Sequence, residues 1–250
     1  MTFSVIELRR AFLDNSEKGM KTGLRRLTIK GRIQSVYRGF YVVVPIQYQL
    51  KSIVPPHFYI DELMTYVGKP YYVGLLSAAA IYGAAHQRPM QTQIMTEEPR
   101  IKASDKNPLL DWNYRHIIPE EYVLTKNAEL GVIRYSSAEL TAIDLVQFAE
   151  HVGGYQRVAT VLAELMEAVD ISKTTGLQSF TTKATMRRLG YLLEYVLEEQ
   201  EKANELYDII RSQGREWNTI SMSNKHPFND SAGNNRWRVN MNIAIEIDEI

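Results

Sequence analysis

The sequence has 250 residues, 45% of them apolar and 23% charged, with no cysteine and a formal net charge of zero. That length and composition exclude wholesale disorder and suit a globular chain of two units, one of them small; the lack of cysteine excludes disulfides, thiol catalysis and thiolate metal centres. The opening "MTFSVIELRR" has no signal-like apolar run, and no stretch approaches the roughly 18 apolar residues of a membrane span, so a cytoplasmic protein with no membrane contact is expected.

The zero total hides an asymmetry. Residues 1–54 carry ten Lys/Arg against Glu7, Asp14 and Glu17, a net of +7, and residues 55–250 carry the balancing −7. A basic first fifth on an acidic remainder points to a polyanion-binding module joined to a different domain. The expected division is 1–54 and 55–250.

In chain order, "FSVIELRRAF" sets Val5, Leu8 and Phe12 on one helical stripe, with Ser4 as N-cap and Glu7 at the capping-box position. A second helix begins after Ser16. Its apolar seam is Met20, Leu24 and Leu27, and Lys18, Lys21, Thr22 and Arg25 fall on the other side, with Arg26 at the margin. The second helix of a helix-turn-helix needs this arrangement, a narrow seam toward its own domain and a basic face toward the major groove. Gly31 ends it. "RIQSVYRGFYVVV" then reads as a hairpin turning at Arg38-Gly39, with Phe40, Tyr41 and Val42 to Val44 packed inward. A hairpin directly after a basic helix is the wing of a winged helix; Arg32 and Arg38 become phosphate contacts at the wing, and Lys30 is a further DNA-binding position. A solvated basic surface is the plainer alternative.

A Pro-Pro linker at 55–56 precedes a helix near 59–67 and a small-residue helix expected over 74–85. The stretches 90–103 and 111–139 alternate with period two and read as short antiparallel strands. Helices follow from Ser136 or Ser137, from Tyr155, near 172–182 and through 185–213. "REWNTISM" and "RWRVNMNIAIEI" read as closing strands around a polar loop expected to be mobile. The fold class is α+β, a small winged helix-turn-helix followed by a larger domain with a mixed sheet and several helices.

No Walker A loop, GxGxxG or GxSxG is present, and His57, His86, His116, His151 and His226 show no metal-ligand spacing, so no metal or other cofactor is expected. Ser77 and His86, nine residues apart on one helix, would lie roughly 13 Å apart, too far for a catalytic pair. His86, Gln87 and Arg88 sit where that helix ends and cations cap free carbonyls, and Arg187 and Arg188 flank an apolar stripe, where a structural ion pair with an acidic neighbour is the plainer and favoured reading; all five are also candidate partner-surface residues.

The blocks "LRRLTIKGRIQSVYRGFYVVVP", "YIDELMTYVGKPYYVGLLSAAAIYGAAHQRPMQTQIM", "SSAELTAIDLVQFAEHVGG" and "RRLGYLLE" resemble, in this order, the AbiEi family, the antitoxin half of type IV toxin–antitoxin and abortive-infection phage-defence systems. The resemblance implies a winged helix that binds inverted repeats in promoter DNA and represses its own operon. It also implies a C-terminal domain that counteracts a nucleotidyltransferase-like toxin, in many cases without a stable complex, and that is not an enzyme. A further helix usually precedes the "FSVIEL" segment in that family; here Phe3 is almost the first residue, so either the module lacks that helix or the sequence is shortened. Two alternatives from other classes are a hydrolase or nuclease around Ser77, His86 and Glu139, and a protein-binding adaptor whose basic module meets an acidic partner.

Overall fold

The computed structural model describes residues 2–50, 53–84, 89–101, 107–128, 131–212 and 217–246. The chain divides into two compact units. One holds residues 1–73, 90–118 and 124–135, and the other holds 74–89, 119–123 and 136–250.

The first unit opens with strand β1 (Thr2–Ser4) and helix α1 (Val5–Ala11). Ser4 caps α1 as the sequence predicts: its hydroxyl accepts from the Glu7 N–H at 3.1 Å, and Glu7 Oε2 accepts from the Ser4 N–H at 2.6 Å. Those two bonds satisfy donors that a helix start leaves open. Replacing Ser4 by Ala is expected to cost about 1 kcal/mol, read as a lower denaturant midpoint of this unit. The backbone N–H of Ser4, then its hydroxyl, hold the Glu7 carboxyl below its usual 4.5. The box therefore supports α1 above that value and is lost as pH falls through the depressed one.

Helix α2 (Glu17–Ile29) is capped by Ser16, whose side chain accepts from the Gly19 N–H, and it closes at Gly31 in the left-handed region (φ 63°). Strands β2 (Ile33–Tyr37) and β3 (Phe40–Val43) form the hairpin, turning at Arg38-Gly39, with β1 completing a three-stranded sheet in the order β1-β3-β2. Gly39 has φ 75°, a conformation that suits glycine, and a Cβ there would meet the Tyr66 hydroxyl at 3.0 Å. Phe40, Val42 and Val44 are buried, but Val43 is exposed and Tyr41 only half-buried. The run "FYVVV" is apolar throughout, yet a strand turns alternate residues to opposite faces, so only every second one reaches the core.

That core extends well past the hairpin. Val36, Phe40, Val42 and Val44 pack in one cluster with Val54, Phe58, Tyr59, Leu63 and Met64, and with Tyr71, Val73, Ile94 and Leu110. Pro55-Pro56 is accordingly no linker: Val54 and Pro56 are buried. The first compact unit runs through residue 54 without a break, on through α3 (Ile60–Val67) and into a five-stranded sheet. Asn107 ties these parts together, donating to the Val36 carbonyl at 3.2 Å and to the Tyr59 hydroxyl at 3.0 Å. Burial pushes the Tyr59 phenol up to about 12.

The sheet comprises β4 (Tyr71–Val73), β5 (Thr92–Glu97), β6 (Leu110–Arg115), β7 (Val123–Ala128) and β8 (Gly131–Ser136), in the order β6-β5-β4-β8-β7. It is mixed. β4 runs antiparallel to β5, but β5 with β6 and β4 with β8 are parallel, where alternation had suggested antiparallel neighbours. Period two marks a strand without fixing its direction. The connection 98–109 is long enough for the crossover that parallel neighbours require.

The second unit is helical. α4 (Leu75–Ala79) is shorter than expected, passing into a 3-10 turn and ending at Gly83 (φ 82°). α5 (Ala138–Gln147) is buried from Ala138 to Val146 and packs against α4, α6 (Tyr155–Leu165) and α7 (Lys183–Tyr195). α8 (Gln200–Arg211) packs on α7, and residues 171–179 are 3-10 turns rather than an α-helix. The closing strands shrink to a parallel pair, β9 (Ile220–Ser221) and β10 (Val239–Asn240). The polar loop before β10 is pinned: Asn229 and Asn240 bond one another, and Asn242 donates to the carbonyls of Ser223, His226 and Pro227. Among the described residues no helix is long and apolar enough to cross a membrane.

Candidate nucleic-acid interface

Helix α2 presents its cations outward. Lys18, Lys21, Thr22, Arg25, Arg26 and Lys30 are all exposed, while Leu24 is the one buried residue of the helix. Lys18, Lys21, Thr22 and Arg25 line a single shallow depression together with Glu17. At 100° per residue Lys18, Lys21, Thr22 and Arg25 fall within about 100° of the helix circumference, which is why the helix brings them together. Arg26 and Lys30 stand apart, one at the margin of that face and the other at the C-cap. Thr22 turns its hydroxyl back onto the Lys18 carbonyl at 2.9 Å.

The two hairpin arginines occupy different places. Arg38 lies at the tip of the turn, exposed, with its carbonyl accepting from the Tyr66 hydroxyl at 3.3 Å. Arg32 sits at the base of the hairpin, where its Nη1 donates to Gln49 Oε1 at 3.1 Å. The amide holds Arg32 extended without neutralising it.

Two features escaped the sequence reading. Arg9 on α1 donates to Glu17 Oε1 at 2.8 Å, and Lys21 meets the same oxygen at 2.9 Å. The Lys21 contact is visible in sequence as an i, i+4 pair. The Arg9 contact is not, because it depends on how α1 and α2 meet. Ile29, 75% exposed, points to the cationic side of α2. Along that helix runs a groove of about 390 Å³ whose walls combine Val5, Met20, Leu24, Ile29 and Tyr41 with Arg9, Glu17, Lys21 and Arg25.

The expected partner-surface residues fare differently. His86, Gln87 and Arg88 lie outside the described residues. Arg187 is no surface residue: it is 5% exposed, and its guanidinium donates to three main-chain carbonyls, those of Trp237 and Arg238 at 2.7 Å and Asn218 at 2.8 Å. Burial, then the nearby Arg188 and Arg238 charges, bring it down to about 10, so it stays protonated at neutral pH. Arg188 is half-buried and donates to the Ser221 carbonyl and Asn224. Both arginines fasten the closing strands to α7. Sequence showed two arginines beside an apolar stripe and could not show carbonyls supplied from thirty to fifty residues downstream.

Of the residues weighed for catalysis, Ser77 is half-buried on α4 and His86 lies outside the described residues. Glu139 accepts from the Asp170 N–H at 3.2 Å, a structural use of the carboxylate. Among the described residues no group of three His, Asp or Glu side chains could hold a metal ion.

Residues 72–195 match the family described as the AbiEi antitoxin C-terminal domain. The crystal structure of the RV2827C protein from Mycobacterium tuberculosis is similar at a TM-score of 0.70 and 11% identity, covering 96% of this chain and 85% of that one. At so low an identity the likeness supports the α+β fold alone. No curated protein matches the chain.

Proposed function

Since this chain belongs to the AbiEi antitoxin family through residues 72–195, we propose that it is an autoregulating antitoxin, which represses its own operon through residues 1–54 and counteracts a nucleotidyltransferase-like toxin through residues 55–250. The family match supports the antitoxin of an abortive-infection toxin–antitoxin system, with no catalytic step of its own. The proposed DNA contacts are Lys18, Lys21, Thr22, Arg25, Arg26 and Lys30 on and after α2, with Arg32 and Arg38 on the hairpin. In this reading α2 enters the major groove of inverted repeats upstream of the operon, and Arg38 reaches a flanking phosphate from the hairpin tip.

One observation carries the DNA reading. A capped helix turns a cationic face outward while Leu24 packs inward, and it is followed at once by a hairpin with a cation at its tip. Such a face suits a ligand of regularly spaced negative charge.

A mobility-shift titration on the protein's own upstream DNA tests it. With roughly five phosphate contacts, log affinity falls against log salt at a slope of about −4 to −5. Arg25→Ala is expected to cost roughly 1–3 kcal/mol on that DNA and to relax sequence preference, as loss of a guanine contact does. Arg38→Ala should instead weaken binding to all duplexes alike and make the salt slope shallower by about one. Binding that ignores salt would overturn the proposal.

A further inference from the structure

The face proposed to read DNA contains one carboxylate. Glu17 opens α2, its side chain is 59% exposed, and it shares the depression with Lys18, Lys21, Thr22 and Arg25. Elsewhere in residues 1–54 the acidic groups are Glu7, engaged in the α1 cap, and Asp14, in the turn between the helices. A lone acid among cations that await phosphate works against affinity, since it repels the same backbone the cations attract.

Its geometry suggests what it gains in return. Arg9 Nη2 from α1 and Lys21 Nζ from α2 both reach Oε1, at 2.8 and 2.9 Å. Two donors on two helices fix the direction of the carboxylate instead of leaving it to rotate. The hydrogen bond from Lys21, and the charges of Lys21 and Arg9, hold it below the usual 4.5, so it is ionised and accepts only. Oε2 takes no bond from any described residue, and Glu17 lines the depression on α2.

An oriented, ionised acceptor in a major groove discriminates. It repels phosphate and the acceptor edge of guanine, and it attracts an amino donor. Cytosine offers its N4 amino group with no neighbouring acceptor on that edge, whereas adenine sets N7 beside N6 and so favours an amide. We propose that Glu17 is a specificity-determining residue, with Oε2 accepting from a cytosine N4–H while Arg9 and Lys21 hold it in place. This rests on the DNA-binding reading above. It adds that part of the cationic face is deliberately neutralised, lowering affinity for arbitrary duplex while one base pair is selected.

The test compares Glu17→Gln with the unaltered protein in shift titrations on upstream DNA and on a random duplex of equal length. Glutamine keeps the shape, removes the charge, and brings an N–H that cytosine N4 does not accept. Affinity for the random duplex is expected to rise about threefold at low salt, with a salt slope steeper by about one as Arg9 is released. Affinity for upstream DNA is expected to fall about tenfold, so the specificity ratio contracts by more than tenfold. A second arm replaces each G·C pair of the upstream site in turn by A·T. The unaltered protein should lose about tenfold at one pair that Glu17→Gln no longer distinguishes. Matching melting curves establish that both proteins are folded. If upstream and random DNA shift by the same factor, Glu17 is only a charge and the proposal fails, while DNA binding stands. If the unaltered protein binds neither duplex, the DNA-binding reading fails and takes this one with it.

Discussion

Gly190→Ala is expected to destabilise the helical unit by about 3 kcal/mol, seen as a lower urea midpoint with an unchanged slope. In most exposed helices the same change helps, because alanine is favoured over glycine by about 1 kcal/mol. Here the site decides otherwise. Gly190 lies on α7 directly under the indole of Trp237, and a methyl group there would sit 2.6 Å from Cε3 and closer still to Cζ3 and Cη2. The ring has nowhere to go. Trp237 is fully buried, its Nε1 donates to Glu194 Oε2 at 2.7 Å, and Tyr207 meets it edge-on at 5.4 Å. Its own carbonyl is held by Arg187 at 2.7 Å. An aromatic fixed on all these sides forces the backbones apart, which places the cost at the upper end for overpacking. A neutral result would mean that the indole slides, and the contact between α7 and the closing segment would then be looser than drawn.

The second large effect concerns truncation. A chain starting at residue 55 is expected to leave the five-stranded sheet unfolded, to bind an apolar dye, and to be cut quickly by chymotrypsin within 58–72 and 110–114. Removing residues 1–54 takes away Val36, Phe40, Val42 and Val44, which cover Phe58, Tyr59, Leu63 and Met64. Each such large side chain left in water forfeits roughly 1.5–3 kcal/mol, and several together exceed the whole stability of an ordinary domain, about 5–15 kcal/mol. Asn107 also loses the Val36 carbonyl. Separating the proposed repression from the antitoxin role therefore calls for point changes on α2, such as Arg25→Ala, in the intact chain. Cooperative melting of the truncated protein at the unaltered temperature would refute the shared core.

Much of the N-terminal part was legible because its signals are local. Ser4 with Glu7, Ser16 before a 3.6-residue stripe, and Gly31 and Gly39 at left-handed positions each act within a few residues. The depression on α2 was legible for the same reason, since a helix brings i, i+3 and i+4 together whatever surrounds it. What failed was long-range. Pro55-Pro56 looks like a hinge until Val54 and Phe58 are seen buried on either side. Strand direction in 92–136 depends on which partner each strand finds. Arg187 resembles an interaction residue until the carbonyls of Asn218, Trp237 and Arg238 arrive from far along the chain.

That last arrangement also governs which positions can drift. Arg187 grips oxygen atoms of the main chain, which every amino acid supplies, so the fastening is indifferent to the identity of the side chains it anchors. Position 218, exposed, is thereby released to diversify without unhooking the terminal segment. Position 238 is exposed too, but its φ of 52° narrows the choice toward glycine or asparagine. A lineage that had to re-tune this flank against a changing adversary could rewrite residue 218 freely and would have to leave residue 187 alone.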